Sequence, residues 1–289
     1  MTQDESTACH DFRRAPPIGL LAGAGRFPVH FAMKARQMGL RVVCVGFRGI
    51  ATPELRGLVD RFYWCGVARL ARMINCFRRE GVQTFVMAGK VHKLPVFSTP
   101  WTIVKLLPDW RAARLWFSRK RRDNRDDSIL LQVVAEFETE GLHCASALEL
   151  CPELLVKPGV LTRRQPTPAE WRDIEFGWEL AKEMGRLDVG QSVAVKDLAA
   201  LVVEAIEGTD RAIMRAGDLC PRGGFTVVKV AKPQQDMRFD VPTIGQSTIE
   251  TIHKAGGRVL AVEACKTILL DEGQTIDLAD RYGITILAR

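Results

Sequence analysis

Residues 18–38 read IGLLAGAGRFPVHFAMKARQM. The apolar run 18–21 halts at a glycine-bearing turn, 22–28, and apolar residues then recur at helical spacing over 29–38. Strand, glycine turn and helix in that order open a doubly wound α/β domain, and 41–45 supplies the next strand. A helix N-terminus behind Gly23 and Gly25 receives a phosphate on bare backbone donors, which makes Gly23, Gly25 and the adjoining Arg26 candidates for substrate binding. The dinucleotide fingerprint is incomplete, however. Its third glycine is absent, Pro28 stands where it would continue, and Gly46-Phe47-Arg48 follows the second strand in place of an acidic ribose ligand. The turn is either a nucleotide-like pocket without an NAD signature or a purely structural bend.

Further along, 68–80 is helical by period, and the strand 84–88 ends in Gly89-Lys90-Val91-His92-Lys93. Ligands of open α/β sheets sit beyond the carboxyl ends of strands, so Lys90, with His92 and Lys93, is expected near the glycine turn. Residues 101–125 interleave Trp101, Trp110, Trp116 and Phe117 with seven lysines and arginines from Arg111 to Arg125. That composition suits an amphipathic helix at an anionic bilayer, a nucleic-acid patch, or a core-packed helix with a solvated basic end. Asp126-Asp127-Ser128 is expected to cap a helix over 129–140.

The chain is α/β in two domains: an acidic, polar tail (1–17), an N-terminal Rossmann-like parallel sheet (18–154), a Pro-rich linker (155–168) and a C-terminal mixed α/β domain (169–289). In the second domain a helix runs from Pro168 to Met184 and stops at Gly185, and strands over 192–195 and 201–206 form a hairpin. Its turn, Lys196-Asp197-Leu198-Ala199, lacks the usual glycine and leaves the register open. Helix, strand, helix and strand then follow over 247–255, 259–264, 275–282 and 284–287.

With 289 residues, 47% hydrophobic and 26% charged, the composition is that of a folded globular protein. Eight cysteines without a CxxC pair and five scattered histidines indicate neither a zinc site nor a disulfide framework. The tail lacks the apolar segment of a secretory signal, and no apolar run approaches the roughly 20 residues that span a bilayer. A net charge of +7 points to an anionic partner: nucleic acid, lipid or a phosphorylated small molecule.

The chemistry concentrates in 226–245, TVVKVAKPQQDMRFDVPTIG. A short buried strand leads into a loop framed by Pro233 and Pro242, in which Asp236 and Asp240 are expected beside Lys229, Lys232 and Arg238. Carboxylates bind a hard cation while lysine and arginine neutralise phosphate oxygens; a salt-bridged surface loop has the same composition. Upstream, Glu207 and Asp210 flank a Gly208-Thr209 turn suited to Mg²⁺. Asp236, Asp240 and Lys229 are thus candidates for meeting a phosphate and its metal ion. Glu207, Asp210, Asp236 and Asp240 are the metal candidates, and Lys90, Lys232, Arg238 and Thr209 join Gly23, Gly25 and Arg26 for substrate.

Taken in order, AGAGRFP (22–28), MAGKVHK (87–93), RDDSILL (125–131), GVLTRRQPT (159–167), DIEFGWELAKEMGRLDVGQSVAVKD (173–197), VEAIEGTDRAIMRAG (203–217) and KPQQDMRFDVPTIG (232–245) resemble the UDP-2,3-diacylglucosamine pyrophosphatases of lipid A synthesis, the LpxI family. The resemblance implies a cytoplasmic enzyme, associated peripherally with the inner face of the inner membrane, whose site lies between its domains. It implies water attack on the α-phosphorus, yielding UMP and 2,3-diacylglucosamine 1-phosphate, with Mg²⁺ or another divalent cation such as Mn²⁺ and with Asp236 or Asp240 essential. The partners implied are the nucleotide-lipid and an anionic membrane surface, not nucleic acid; a homo-oligomer is compatible. Two rival readings are a nucleotide-binding oxidoreductase, from the glycine turn, and a basic nucleic-acid-binding protein, from 101–125.

Overall fold

The computed structural model describes residues 16–91, 108–117 and 126–289. These divide into two compact units, one up to Cys151 and one from Pro152. In the first, strands β1 (Ile18–Ala22), β2 (Val42–Phe47), β3 (Arg61–Cys65), β4 (Thr84–Ala88) and β5 (His143–Ala145) form one sheet in the order β3-β2-β1-β4-β5. Every pairing is parallel, which is the doubly wound order expected from the strand–turn–helix opening. Helices α1 (Phe27–Gln37), α2 (Leu70–Arg79), α3 (Trp110–Phe117) and α4 (Asp126–Glu138) accompany it. Phe77, Phe85 and Phe137 meet in the core, the last two with ring centroids 4.6 Å apart.

The described part of the basic segment is α3. Asp109 accepts from the backbone N–H groups of Ala71 and Ala112, so one carboxylate ties the start of α3 to α2. Arg111 pairs with Glu136 and Glu140, and Arg114 with Glu136. These two guanidinium groups are thereby matched by acids of the same unit, while Trp110 stays 60% exposed. Residues 101–107 and 118–125 lie outside the described residues, as do His92 and Lys93. Helix α4 begins at Asp126, inside the run expected to cap it.

The second unit holds strands β6 (Gly159–Val160), β7 (Ser192–Lys196), β8 (Ala199–Val203), β9 (Thr226–Lys229), β10 (Thr243–Ile244), β11 (Val259–Val262), β12 (Ile268–Leu269) and β13 (Thr285–Ala288), with helices α5 (Pro168–Arg186), α6 (Thr209–Leu219), α7 (Gln246–Ala255) and α8 (Glu272–Tyr282). Six strands form a mixed sheet, β6-β13-β11-β9-β7-β8, in which β13, β11 and β9 are parallel and the flanking pairings are antiparallel. The stretch 155–168, expected as a linker, is built into this unit: β6 pairs with β13, and Val156 exchanges backbone bonds with Thr267 and Cys265.

Side chains of β9 alternate between two cores. Val227 joins Ile213, Ile249 and Ile252, whereas Val228 joins Ile174 and Ala181 of α5. Each fully buried valine or isoleucine here contributes about 1.5–3 kcal/mol. Gly177 brings α5 close to the sheet, since a Cβ there would lie 2.8 Å from Val228 Cγ2. A capping box of Thr167 and Glu170, with Pro168 in the first turn, starts α5.

The β7–β8 hairpin closes with φ of 50° at Asp197 and 62° at Leu198, a left-handed pair that glycine or asparagine normally supplies. Its stabiliser is Asp173 of α5, 2% exposed, whose two carboxylate oxygens accept the N–H groups of Asp197 at 3.1 Å and Leu198 at 2.8 Å.

Candidate active site

Parallel strands β9, β11 and β13 deliver their carboxyl ends to one rim of the second sheet. Antiparallel β7 starts there, with Ser192 opposite Lys229, and β8 ends there, with Glu204 N–H bonded to the Ser192 carbonyl. Lys229 shares the α6 side of the sheet with Val227, two residues before it. It is 3% exposed, and its ammonium donates to Thr209 Oγ1 at 3.3 Å and to the Thr243 carbonyl at 3.2 Å. A buried ammonium demands such acceptors. Thr209, first residue of α6, donates its hydroxyl to Glu204 Oε1 at 2.9 Å and lies 3.5 Å from Ser192 Oγ. Glu204 is 7% exposed, and its Oε2 has no hydrogen-bond partner among the described residues.

The loop after β9 is internally braced. Gln235 accepts from Lys232 N–H at 2.9 Å and donates to Asp240 Oδ2 at 2.7 Å and Gln191 Oε1 at 3.4 Å. Asp240 N–H in turn bonds the Asp236 carbonyl at 3.0 Å. Arg238 grips Asp236 with its backbone N–H and guanidinium, Nη2 lying 2.7 Å from Oδ2. That guanidinium hydrogen bond holds the Asp236 carboxyl below its usual range, against the opposing effect of burial. Asp236 thus meets Arg238, while Asp240 is held by Gln235 and by the Asp236 backbone. Lys232 is diverted: its ammonium pairs with Asp188 at 2.7 Å. Glu263, at the end of β11, pairs with Lys182 and Lys266 and accepts Ala231 N–H at 2.9 Å. It anchors the start of the loop. Burial works to raise the Glu263 carboxyl, but the two ammonium groups and the amide outweigh it and lower it.

The four carboxylates proposed as metal ligands do not converge. Among the described residues no group of three or more His, Cys, Asp or Glu side chains is arranged to hold a metal ion. Glu207 turns back to accept Ala205 N–H and pairs with Arg215 of α6. Burial opposes its ionisation, but its backbone hydrogen bonds and Arg215 prevail and lower its carboxyl. Asp210 lies exposed in the first turn of α6. Of the four, Asp236 and Asp240 share the loop after β9, where their carboxylates are engaged by Arg238 and Gln235.

In the first unit, Gly23 N–H bonds the Ala88 carbonyl, and Ala24 and Lys90 exchange a pair of backbone bonds at 2.7 and 2.9 Å. A Cβ at Gly23 would stand 2.7 Å from the Lys90 carbonyl. The Gly23 amide, expected to cradle phosphate, is thus consumed by the end of β4, as its neighbour at Ala24 is by Lys90, and Gly23 serves close backbone approach. This removes the main support of the oxidoreductase reading. Gly25, at φ 95° with open space around it, Arg26, which faces Glu54 at 3.8 Å, and the exposed Lys90 side chain lie at the carboxyl ends of β1 and β4.

Sequence reasoning passed over Glu204, Gln235 and Asp188 as site residues. Glu204 carries a usable signal, a carboxylate directly after an apolar strand and five residues before a threonine that starts a helix.

The LpxI N-terminal domain family matches residues 17–154 and the LpxI C-terminal domain family residues 157–287. The chain belongs to the LpxI family. The UDP-2,3-diacylglucosamine pyrophosphatase LpxI of Caulobacter vibrioides is 32% identical over 280 residues, 93% of this chain and 96% of that protein. A shorter match, 31% identical over 111 residues, joins 38% of the chain to 20% of the bifunctional purine biosynthesis protein PurH of Deinococcus deserti. Among solved structures, the biotin carboxylase subunit of pyruvate carboxylase is 11% identical, covering 72% of this chain and 42% of its own at a TM-score of 0.28. That likeness is too slight to bear on fold or chemistry. Among the described residues no helix is long and apolar enough to cross a membrane.

Proposed function

We propose that this LpxI-family protein is a hydrolase that cleaves the pyrophosphate of UDP-2,3-diacylglucosamine to UMP and 2,3-diacylglucosamine 1-phosphate in lipid A synthesis. The observation that carries the reading is the relationship, over 96% of its length, to the Caulobacter protein of that name. The rim of the second unit supplies suitable chemistry. Arg238 holds Asp236 in a two-point ion pair that a phosphate oxygen can replace, since guanidinium binds carboxylate and phosphate with the same fork. Transfer of Arg238 to the diphosphate would release Asp236, kept ionised by that same contact, to orient a water against the α-phosphorus. The water oxygen bonds the α-phosphorus, the bond to the bridging oxygen breaks, and the lipid 1-phosphate leaves while the water proton passes toward Asp236. Lys229 supplies fixed positive charge at the strand ends. A divalent cation, Mg²⁺ or Mn²⁺, held by Asp236 and Asp240 would offset charge on the phosphate oxygens and acidify the attacking water.

The two acyl chains keep the substrate in a bilayer, so the reading includes work at the cytoplasmic face of the inner membrane as a peripheral protein, with Gly25, Arg26 and Lys90 as further candidates for phosphate or membrane contact. The test is nucleotide analysis after incubation with UDP-2,3-diacylglucosamine in mixed micelles. UMP should appear in step with the lipid phosphate, stop on addition of EDTA and resume with excess Mg²⁺ or Mn²⁺. Release of UDP, or of no nucleotide, contradicts the assignment.

A further inference from the structure

We infer that Glu204 is a positioning residue that acts on Lys229 through the hydroxyl of Thr209, and so sets where the buried ammonium points. The inference deepens the reading above and rests on it for its kinetic arm. A hydroxyl has a single proton. That of Thr209 goes to Glu204 Oε1 at 2.9 Å, which leaves its lone pairs for Lys229 Nζ at 3.3 Å. A second acceptor of that ammonium, the Thr243 carbonyl, lies at the far end of the loop that carries Asp236 and Asp240. Lys229 thus ties the start of α6 to the end of the reactive loop, and Glu204 orients the tie.

Two observations distinguish Glu204 from a carboxylate that merely fills space. Its Oε2 is buried without a hydrogen-bond partner among the described residues, an arrangement that opposes folding and that packing alone does not explain. Its backbone is also locked in place, with N–H bonded to the Ser192 carbonyl at 2.8 Å. The chain at Gly190 approaches so closely that a Cβ would lie 2.0 Å from the Glu204 carbonyl oxygen. Glu204 is enclosed, and its side chain bonds Thr209, which in turn accepts from Lys229.

NMR of the lysine ammonium groups in ¹⁵N-lysine-labelled full-length protein tests the hold directly, with the Lys229 signal identified by its loss in Lys229→Met. The wild type should show a resolved, slowly exchanging Lys229 signal. Glu204→Ala should lose it to exchange, and Glu204→Gln, which keeps an acceptor for Thr209 without the charge, should keep it with faster exchange. A missing wild-type signal, or an unchanged one in folded Glu204→Ala, overturns the inference; if Glu204→Ala does not fold, unchanged exchange in Glu204→Gln does so. In the kinetic arm, Glu204→Ala should lower kcat roughly tenfold to a hundredfold with little change in KM, and should cost nothing further in the Lys229→Met background. Equal losses in both backgrounds overturn the relay. Absence of UMP release by the wild type counts against the functional reading alone and leaves the NMR arm to decide.

Discussion

Asp236 has both carboxylate oxygens on Arg238, two residues away, so the carboxylate proposed to act in catalysis rests in an ion pair. The pair is about two-thirds enclosed rather than buried, with side-chain exposures of 37% and 22%, which leaves it open to exchange with a competing anion. Asp236→Asn preserves size and one acceptor but removes the charge that orients water. We expect kcat to fall by about 10²–10⁴-fold in a protein that still folds, its stability lowered by no more than about 1 kcal/mol for the partly exposed Arg238 pair; a variant within about twofold of wild type would exclude Asp236 from the chemistry. Lys229, Asp236 and Arg238 were legible in the sequence because strand, proline and charge stand within a dozen residues of one another. The diversion of Lys232 was not legible, since its partner Asp188 is 44 residues away in the chain. Glu204 was missed for a related reason: it reads as one more acid in EAIEGTD until folding encloses it against Thr209.

The β7–β8 hairpin shows an element held by a distant side chain. Asp197 and Leu198 adopt left-handed conformations that disfavour residues with a Cβ, and Asp173 supplies what the turn sequence lacks. Asp173→Ala leaves two N–H groups without their acceptors and should destabilise the second unit by about 1–3 kcal/mol, read as a lower urea midpoint. An unchanged midpoint would show that the turn holds itself. Both strands of the hairpin were legible from their apolar runs, but the register was not, because its determinant lies 24 residues upstream in α5. The doubly wound order of the first unit likewise followed from one strand–turn–helix stretch, whereas β3, a partly exposed edge of sequence RFYWC, gave no alternation to read. At the glycine turn the residues were identified and their task was not: glycine admits a phosphate and a neighbouring backbone equally well, and here the backbone of Lys90 occupies the place.

At the scale of the whole molecule, two units each carry their own core, and acid should act on the second through its enclosed carboxylates. Burial works to raise Glu170 and Glu263, but Arg164 and the Thr167 amide at the first, and Lys182, Lys266 and the Ala231 amide at the second, hold both below the ordinary carboxyl range. Their folded pKa values are depressed, so their contribution is complete above the unfolded value of about 4.3 and vanishes as pH falls through the folded values. Glu263→Gln should therefore cost about 1–3 kcal/mol at neutral pH and much less in acid, flattening the acid limb of the stability profile; a loss independent of pH would contradict this. Burial pushes the Cys65 thiol up to about 11 and Cys44 higher still, so these two side chains act as inert apolar filler. The central claim is that the loop from Lys229 to Thr243 directs water at the α-phosphorus of a diphosphate. Hydrolysis of UDP-2,3-diacylglucosamine in ¹⁸O-water, followed by mass spectrometry of both products, tests it most directly. One ¹⁸O atom should appear in UMP and none in 2,3-diacylglucosamine 1-phosphate; label in the lipid phosphate would contradict the account.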